Sequence, residues 1–147
     1  MHADRPQAPG YLANLMARLF HEVSGEGLSP LGIRPEQFPI LVELWFGTPP
    51  ITQRTLEASQ EAGPEWIADL LGSLFADGLL ADRPATPDAP IVLSEKGRSL
   101  RDAAIPAARR ANQAALSALD ETELAQFLAL MNRVIDALQQ DLNHHDP

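Results

Sequence analysis

The chain has 147 residues, of which 45% are hydrophobic, contains no cysteine and carries a formal net charge of −9. This length suits one ordinary domain with its own core. The lack of cysteine excludes disulfides, thiolate metal sites and thiol-based redox sensing. The amino-terminal residues lack a signal-peptide pattern, and no apolar run approaches the roughly 18 residues of a membrane span. These features predict a cytoplasmic protein that has no membrane partner.

The first predicted helix runs from about Pro9 to Ser24, and Gly25 and Gly27 are expected to end it. Apolar residues recur along it at helical spacing, which predicts one buried stripe. The stripe contains Leu12, Leu15, Met16, Leu19, Phe20 and Val23. Residues 28–34 are then expected to form a loop.

Pro35 opens the second predicted helix, but Pro39 removes a backbone hydrogen bond, so the regular part is expected to start near Pro39. Its inward-facing residues are predicted to be Phe38, Leu41, Val42 and Trp45. Gly47 and the two prolines after it end this element. Thr52 is a good N-cap for a short third helix.

Residues 51–97 predict a short helix, a turn, a longer helix, two short strands and the start of another helix. The longer helix begins at Gly63 and Pro64 and ends at Gly78, which suits a left-handed cap. Its apolar stripe consists of Ile67, Leu70, Leu71, Leu74 and Phe75. This order of elements is typical of a winged helix-turn-helix.

Residues from Glu95 to Leu119 predict one long helix, kinked at Pro106. A last helix starts near Asp120, which forms a capping box with Glu123. Its continuous apolar stripe contains Leu124, Phe127, Leu128, Met131, Val134, Ile135, Leu138 and Leu142. Because this apolar surface exceeds what a small winged helix can cover, a symmetric homodimer is predicted.

Three segments resemble the MarR family of bacterial transcriptional regulators. They are ITQRTL at 51–56, LLGSLFADGLLADRP at 70–84 and IVLSEKGRSL at 91–100, and the resemblance extends over nearly the whole chain. It implies a mainly α fold with a small two- or three-stranded β wing.

The same resemblance implies a single domain over residues 1–147. Residues 10–34 and 98–143 would then form the dimerisation helices, and residues 35–97 the winged-helix lobe. The implied function is that of a dimeric transcriptional regulator that binds double-stranded DNA.

The family also commonly binds aromatic anions between the dimer helices and the DNA-binding lobe, which implies a response to a small aromatic ligand. Six residues lie on predicted helices that could line such a pocket: Tyr11, Met16, Phe20, His21, Phe38 and Trp45. The alternative for each of them is ordinary packing in the core.

Eight side chains are candidates to face DNA or a protein partner: Thr52, Arg54, Glu65, Trp66, Asp69, Ser73, Arg83 and Arg98. Residues 51–97 contain three cations against eight anions, a net charge of −5. DNA-binding surfaces gain affinity from Lys and Arg near phosphates. The face of the longer helix that the family uses to contact DNA carries Glu65, Asp69, Ser73 and Asp77 in this chain, and the wing looks about three residues shorter than usual in the family.

This acidity favours an alternative function, in which the chain no longer binds DNA itself. It would act instead through protein contacts on the acidic face, as an antirepressor or DNA mimic. Trp66 lies at the border of that face, where it is either an anchor for a partner or a cap on the edge of the core. Arg98 and Arg101 could reach a DNA backbone, or they could pair with nearby carboxylates.

Catalytic and metal chemistry find little support in this sequence. The histidines are His2, His21, His144 and His145, and they do not form the three or four converging ligands of a metal site. There is no glycine-rich phosphate loop and no arrangement of Ser, His and Asp that suggests a nucleophile. We predict no enzyme activity, no metal and no cofactor.

Overall fold

The computed structural model describes residues 4–144. The helices within this range are α1 (Pro9–Leu28), α2 (Phe38–Phe46), α3 (Gln53–Ser59), α4 (Pro64–Ala76), α5 (Glu95–Ser99), α6 (Arg101–Leu116) and α7 (Glu121–His144), with 3-10 turns at Ser29–Leu31 and Pro35–Gln37. The residues up to Ala111 form one compact unit, here called the first unit, and the residues from Asn112 form a second. No helix among the described residues is both long and apolar enough to cross a membrane.

Helix α1 continues four residues past its predicted end, and both Gly25 and Gly27 lie inside it. A Cβ atom on Gly27 would lie 2.8 Å from the carbonyl oxygen of Ala107 in α6, so this glycine permits a close helix contact. The turn out of the helix is made instead at Gly32, whose φ of 74° is left-handed. The prediction that Gly25 and Gly27 end the helix was therefore wrong.

Helix α2 begins at Phe38, beside Pro39, which confirms the predicted start of the regular segment. Its most buried residues are Ile40 and Leu41, whereas Val42 is only half-buried. The buried face of α2 therefore includes Ile40, which was not predicted, and Val42 lies at its edge.

The caps of α3 and α4 are those that the sequence predicts. The Thr52 hydroxyl oxygen accepts a hydrogen bond from the Thr55 amide at 3.2 Å, and α4 has Gly63 at its N-cap and Pro64 at its first position. Gly78 follows α4 with a φ of 77°. Both helices bury apolar residues in the first unit, namely Leu56, Ile67, Leu70, Leu71 and Leu74.

Phe75, which was also predicted to lie in the stripe of α4, is 42% exposed. Each residue turns an α-helix by about 100°, which places Phe75 at the edge of the stripe rather than within it. The prediction was therefore wrong for this residue.

The β wing is not confirmed as a set of strands. Between residues 4 and 144 the only strand-like pairing is an isolated antiparallel bridge between Leu80 and Leu93. It is flanked by hydrogen bonds from the Ala81 amide to the Val92 carbonyl at 2.9 Å and from the Ser94 amide to the Leu79 carbonyl at 3.0 Å. Three prolines between residues 84 and 90 lack the N–H groups that would extend this ladder.

The predicted long helix after the wing is two helices. The break falls between α5 and α6 at Leu100, whereas Pro106 lies inside α6. The oxygen atom of Gly97 in α5 accepts a hydrogen bond from Trp45 Nε1 at 2.9 Å. A Cβ on Gly97 would collide with the Leu79 carbonyl oxygen, so this glycine lets α5 pack directly against Leu79.

Helix α7 forms the greater part of the second unit. Its capping box is confirmed, because the Glu123 amide donates to Asp120 Oδ1 at 2.8 Å and the Asp120 amide donates to Glu123 Oε1 at 3.1 Å. None of the 24 described residues of α7 is buried within the chain. Most of its large apolar side chains are exposed, from 37% at Phe127 to 69% at Leu142, while Leu124 and Met131 are half-buried.

Candidate nucleic-acid interface

Helices α3 and α4 form the helix-turn-helix, and a polar cluster holds the carboxyl end of α4. Arg34 Nη2 donates to both carboxylate oxygens of Asp77, at 3.1 and 3.0 Å, and Gln37 Nε2 donates to Oδ2 at 2.9 Å. Lys96 Nζ donates to the Asp77 carbonyl oxygen at 3.1 Å. The pKa of Asp77 is lowered, mainly by the hydrogen bond from Gln37, with further contributions from Arg34 and Lys96 that outweigh burial.

The same cluster includes Ser73, which was predicted to face outward with Asp77. Its hydroxyl accepts a hydrogen bond from Gln37 at 3.1 Å and donates one to the Leu70 carbonyl at 2.8 Å. Gln37 is fully buried. Ser73 and Asp77 therefore lie on the side of α4 that meets the Pro35–Gln37 turn, and the outer face is narrower than the resemblance implies.

We expect Asp77→Asn to lower the free energy of unfolding by about 1–2 kcal/mol, because hydrogen bonds to a charged group are lost. Since the folded-state pKa is lowered, the carboxylate contributes stability above its unfolded pKa of about 3.9, and this stability is lost as the pH falls through the folded value. Urea unfolding of both proteins at neutral pH and near pH 3 measures this difference, which should shrink at the acidic pH.

The matched control is Asp88→Asn, which removes the carboxylate of an exposed ion pair. Its side chain is 71% exposed, and exposed pairs contribute little to stability. An Asp77→Asn protein as stable as the Asp88→Asn protein at neutral pH would contradict the structural role of the cluster.

The exposed surface of α4 carries Glu65, Trp66 and Asp69 near its amino-terminal end. All three are exposed, and Trp66 retains 58% of its accessible surface. The indole therefore does not fold over the core within the single chain. Two carboxylates beside an exposed aromatic ring differ from the Arg, Lys, Asn and Gln side chains that usually read base edges.

Bonds within the chain involve two of the three candidate cations near this face. Arg54 Nε donates to Asp88 Oδ1 at 2.6 Å, and the Arg54 amide donates to the Pro87 carbonyl at 3.2 Å, so the wing tip lies against α3. Arg98 Nη1 donates to the Leu93 carbonyl at 2.9 Å. Arg83 is exposed, and its guanidinium lies 3.4 Å from where a Cβ on Gly72 would be.

Thr52, the remaining candidate, uses its hydroxyl to cap α3. The structure thus places Arg54 in α3 and the Arg83 guanidinium beside Gly72 of α4. It leaves two acidic side chains, Glu65 and Asp69, exposed on α4. The Arg54 to Asp88 pair spans 34 residues, and no local sequence pattern could have predicted it.

Of the six candidate ligand-pocket residues, two are in ring contact with each other. Phe38 and Trp45 pack edge to face, with ring centroids 6.1 Å apart. His21 Nε2 lies 3.9 Å from Glu36 Oε2. Tyr11 is 44% exposed, while Met16 and Phe20 are half-buried.

A cavity of about 570 Å³ lies elsewhere in the first unit. It is bounded by the end of α2, by residues 90–93 of the wing and by the start of α6. Of the six candidates, this cavity includes Trp45 alone.

Metal ligation finds no support in the part of the chain that the structure describes. No group of three or more His, Cys, Asp or Glu side chains there could hold an ion. His144 is exposed, and His2 and His145 lie outside the described residues.

Solved structures share this arrangement along nearly the whole chain. A probable transcriptional regulator from Pseudomonas aeruginosa is 26% identical, with a TM-score of 0.71 and coverage of 87% of this chain and 97% of its own. S. aureus MepR in complex with DNA is 21% identical, with a TM-score of 0.76 and coverage of 89% and 96%. The chain has the MarR-family winged-helix fold. No family profile and no curated protein matches the sequence.

A further structure with the MarR fold is the Mycobacterium tuberculosis MarR family protein Rv2887. It is 24% identical, with a TM-score of 0.60 and coverage of 91% of this chain and 98% of its own. Rv2887 has also been solved in complex with DNA and in complex with salicylic acid. Similarity at this level establishes the fold, and the function of the chain has to be argued from its own residues.

Proposed function

We propose that this chain is a dimeric transcriptional regulator that contacts double-stranded DNA through its winged helix-turn-helix. The observation that carries the proposal is the helix-turn-helix itself, in which α4 keeps one long face exposed while its other side is buried. A helix held in this way is able to enter a major groove. The DNA complexes of the structural neighbours MepR and Rv2887 support the same use of the fold.

The dimer is supported by α7. This helix carries an apolar stripe along its length and buries none of its described residues within the chain. Contiguous apolar surface of this extent usually marks an interface. A two-fold dimer would cover the stripe and would also place two copies of α4 for a palindromic DNA site.

A small aromatic ligand is the third part of the proposal. Support comes from the salicylic acid complex of Rv2887 and from the aromatic contact of Phe38 with Trp45. The proposed pocket includes these two residues and four from α1, namely Tyr11, Met16, Phe20 and His21. A small aromatic acid that binds there should raise the melting temperature once its concentration L exceeds its dissociation constant, because the folded state then gains a free energy of RT ln(1 + L/Kd).

The deciding experiment is fluorescence anisotropy of the full-length protein with duplexes that span its own upstream region. Titrations at about 50 mM and about 200 mM salt separate phosphate-dominated binding, which falls steeply with salt, from other contacts. Saturable, sequence-selective binding supports the proposal. A folded dimer that binds no duplex at the lower salt concentration contradicts direct DNA contact.

A second function is favoured by one observation, the exposure of Trp66 between two exposed carboxylates. Aromatic side chains of this kind often anchor protein interfaces. In this function the chain keeps the dimer, and its acidic α4 face binds a basic protein partner, as an antirepressor or DNA mimic would. The two functions predict opposite responses to a reversal of charge on α4.

A further inference from the structure

The tip of the wing is a turn whose third residue is Asp88. The Ala89 amide donates to the Thr86 carbonyl oxygen at 3.2 Å, which closes the turn over Pro87 and Asp88. Proline is favoured at the second position of such a turn because its φ is already fixed, and aspartate is common in turns. Asp88 is therefore presented at a defined point of the wing.

Backbone contacts hold this turn against the amino-terminal end of α3. The Pro87 carbonyl oxygen accepts a hydrogen bond from the Arg54 amide at 3.2 Å, and the Ile91 amide donates to the Ile51 carbonyl oxygen at 2.8 Å. Arg54 is the second residue of α3, and the first amides of a helix have no partner within the helix. The wing tip supplies that partner, so the turn is held beside Arg54.

The side chains of Arg54 and Asp88 complete this contact. Arg54 Nε donates to Asp88 Oδ1 at 2.6 Å, in an ion pair whose side chains are 65% and 71% exposed. Exposed pairs of this kind are weak, and salt screens them. The pair therefore neutralises the Arg54 guanidinium without burying it, so that another anion still has access to it.

The state of Arg54 matters because cations are scarce in the winged helix-turn-helix. Residues 51–97 contain only Arg54, Arg83 and Lys96, and Lys96 is already bonded at the carboxyl end of α4. In a helix-turn-helix the first helix crosses the DNA backbone, which places Arg54 of α3 near the phosphates. Asp88 brings a negative charge to the same place, where it repels a phosphate and offsets the cation that attracts it.

We propose that Asp88 masks Arg54 and thereby limits the affinity of this chain for double-stranded DNA. Removal of the Asp88 charge frees the guanidinium for one phosphate contact, while the Pro87 carbonyl still holds the wing tip on α3. The inference rests on the proposed DNA contact, and it identifies a wing residue that weakens this contact. The acidic face of α4 has no part in it.

A double-mutant cycle with Asp88→Asn and Arg54→Gln tests this inference. In anisotropy titrations at about 50 mM salt, Asp88→Asn should bind a duplex about threefold to fivefold more tightly, the range for release of an exposed ion pair. The slope of log affinity against log salt should steepen by about 0.9, as for one additional phosphate contact. Arg54→Gln should change the affinity of the wild-type protein by less than about twofold, because its charge is already offset. The same substitution should abolish the gain of the Asp88→Asn protein.

The matched control is Asp82→Asn, since Asp82 is an exposed aspartate earlier in the wing. It removes the same charge, and any gain in its duplex affinity should persist when Arg54→Gln is added. Circular dichroism and thermal unfolding of all these variants should match those of the wild-type protein, because the exchanged side chains are exposed.

Two results would overturn the inference and leave the proposed function standing. One is unchanged duplex affinity in the Asp88→Asn protein, and the other is a gain in that protein that persists after Arg54→Gln is added. Duplex binding by none of the four proteins of the cycle would contradict the proposed DNA contact and the inference together. The two kinds of failure are distinguishable, because only the first occurs with a wild-type protein that binds DNA.

Discussion

Replacing Phe127 and Leu138 by arginine should convert the proposed dimer into a monomer. Both side chains lie in the apolar stripe of α7 and are 37% and 61% exposed within the chain. In a two-fold interface each substitution occurs twice and buries an unpaired charge, which costs several kcal/mol. The dissociation constant should therefore rise by about a thousandfold or more, which sedimentation velocity over a range of concentrations can measure.

The matched control for this experiment is Gln140→Arg, on the opposite side of α7 by helical geometry. It adds a positive charge to the same helix and should leave the dimer intact. Circular dichroism should show that the arginine double variant keeps its helices, because α7 contributes no buried residue within the chain. A double variant that sediments as the wild-type dimer would show that another surface holds the two copies together.

The reversal of charge at Glu65 and Asp69 separates the two proposed functions. If the protein contacts DNA through α4, Glu65→Arg with Asp69→Arg should raise duplex affinity by about tenfold to a hundredfold at low salt, because two repulsive charges become attractive. Each new phosphate contact should also steepen the slope of log affinity against log salt by about 0.9. Anisotropy titrations at several salt concentrations measure both quantities.

The control reverses the same number of charges away from α4, with Glu22→Arg and Asp136→Arg. Both residues are exposed, and a comparable gain in this control would mean that net charge alone governs duplex affinity. If the acidic face instead binds a basic protein, the α4 variant should lose that partner while the control keeps it. Unchanged partner affinity in the α4 variant would contradict the acidic-face function.

Local signals explain what the sequence predicts correctly. The caps at Thr52, Gly63, Gly78 and Asp120 depend on residues within four positions, and all four are found where the sequence places them. The same holds for the buried stripe of α4, apart from Phe75 at its edge. Such patterns reflect hydrogen bonding and burial within one segment of the chain. They can therefore be recognised from the sequence alone.

The errors arise where distant residues decide the outcome. Gly27 lies inside α1 because its backbone meets Ala107, which is remote in sequence. Ser73 and Asp77 turn inward because Arg34 and Gln37 bond to this side of α4. The outer face is inferred from the family resemblance, and a resemblance does not show which side of α4 the Pro35–Gln37 turn of this chain will cover.

The binding surfaces show the same limit. The charge of residues 51–97 predicts an acidic helix-turn-helix, and the structure keeps Glu65 and Asp69 exposed there. The cavity beside Arg98 and Arg101 was not predicted, since its walls come from residues 44–51 on one side and residues 90–101 on the other, which are far apart in the chain. Only the fold brings them together.

The polar cluster at Asp77 fixes the carboxyl end of α4, whereas its amino-terminal end has no such cluster among the described contacts. Arg34, Gln37 and Lys96 all bond to Asp77, the residue directly after α4, so any tilt of the helix would turn about that end. The 13 residues of α4 span about 20 Å, and a tilt of about 10° would carry the opposite end through about 3 Å. The largest displacement would occur at Glu65 and Trp66, at the amino-terminal end of α4. A molecule bound to these two residues would therefore be displaced more than one bound near Asp77.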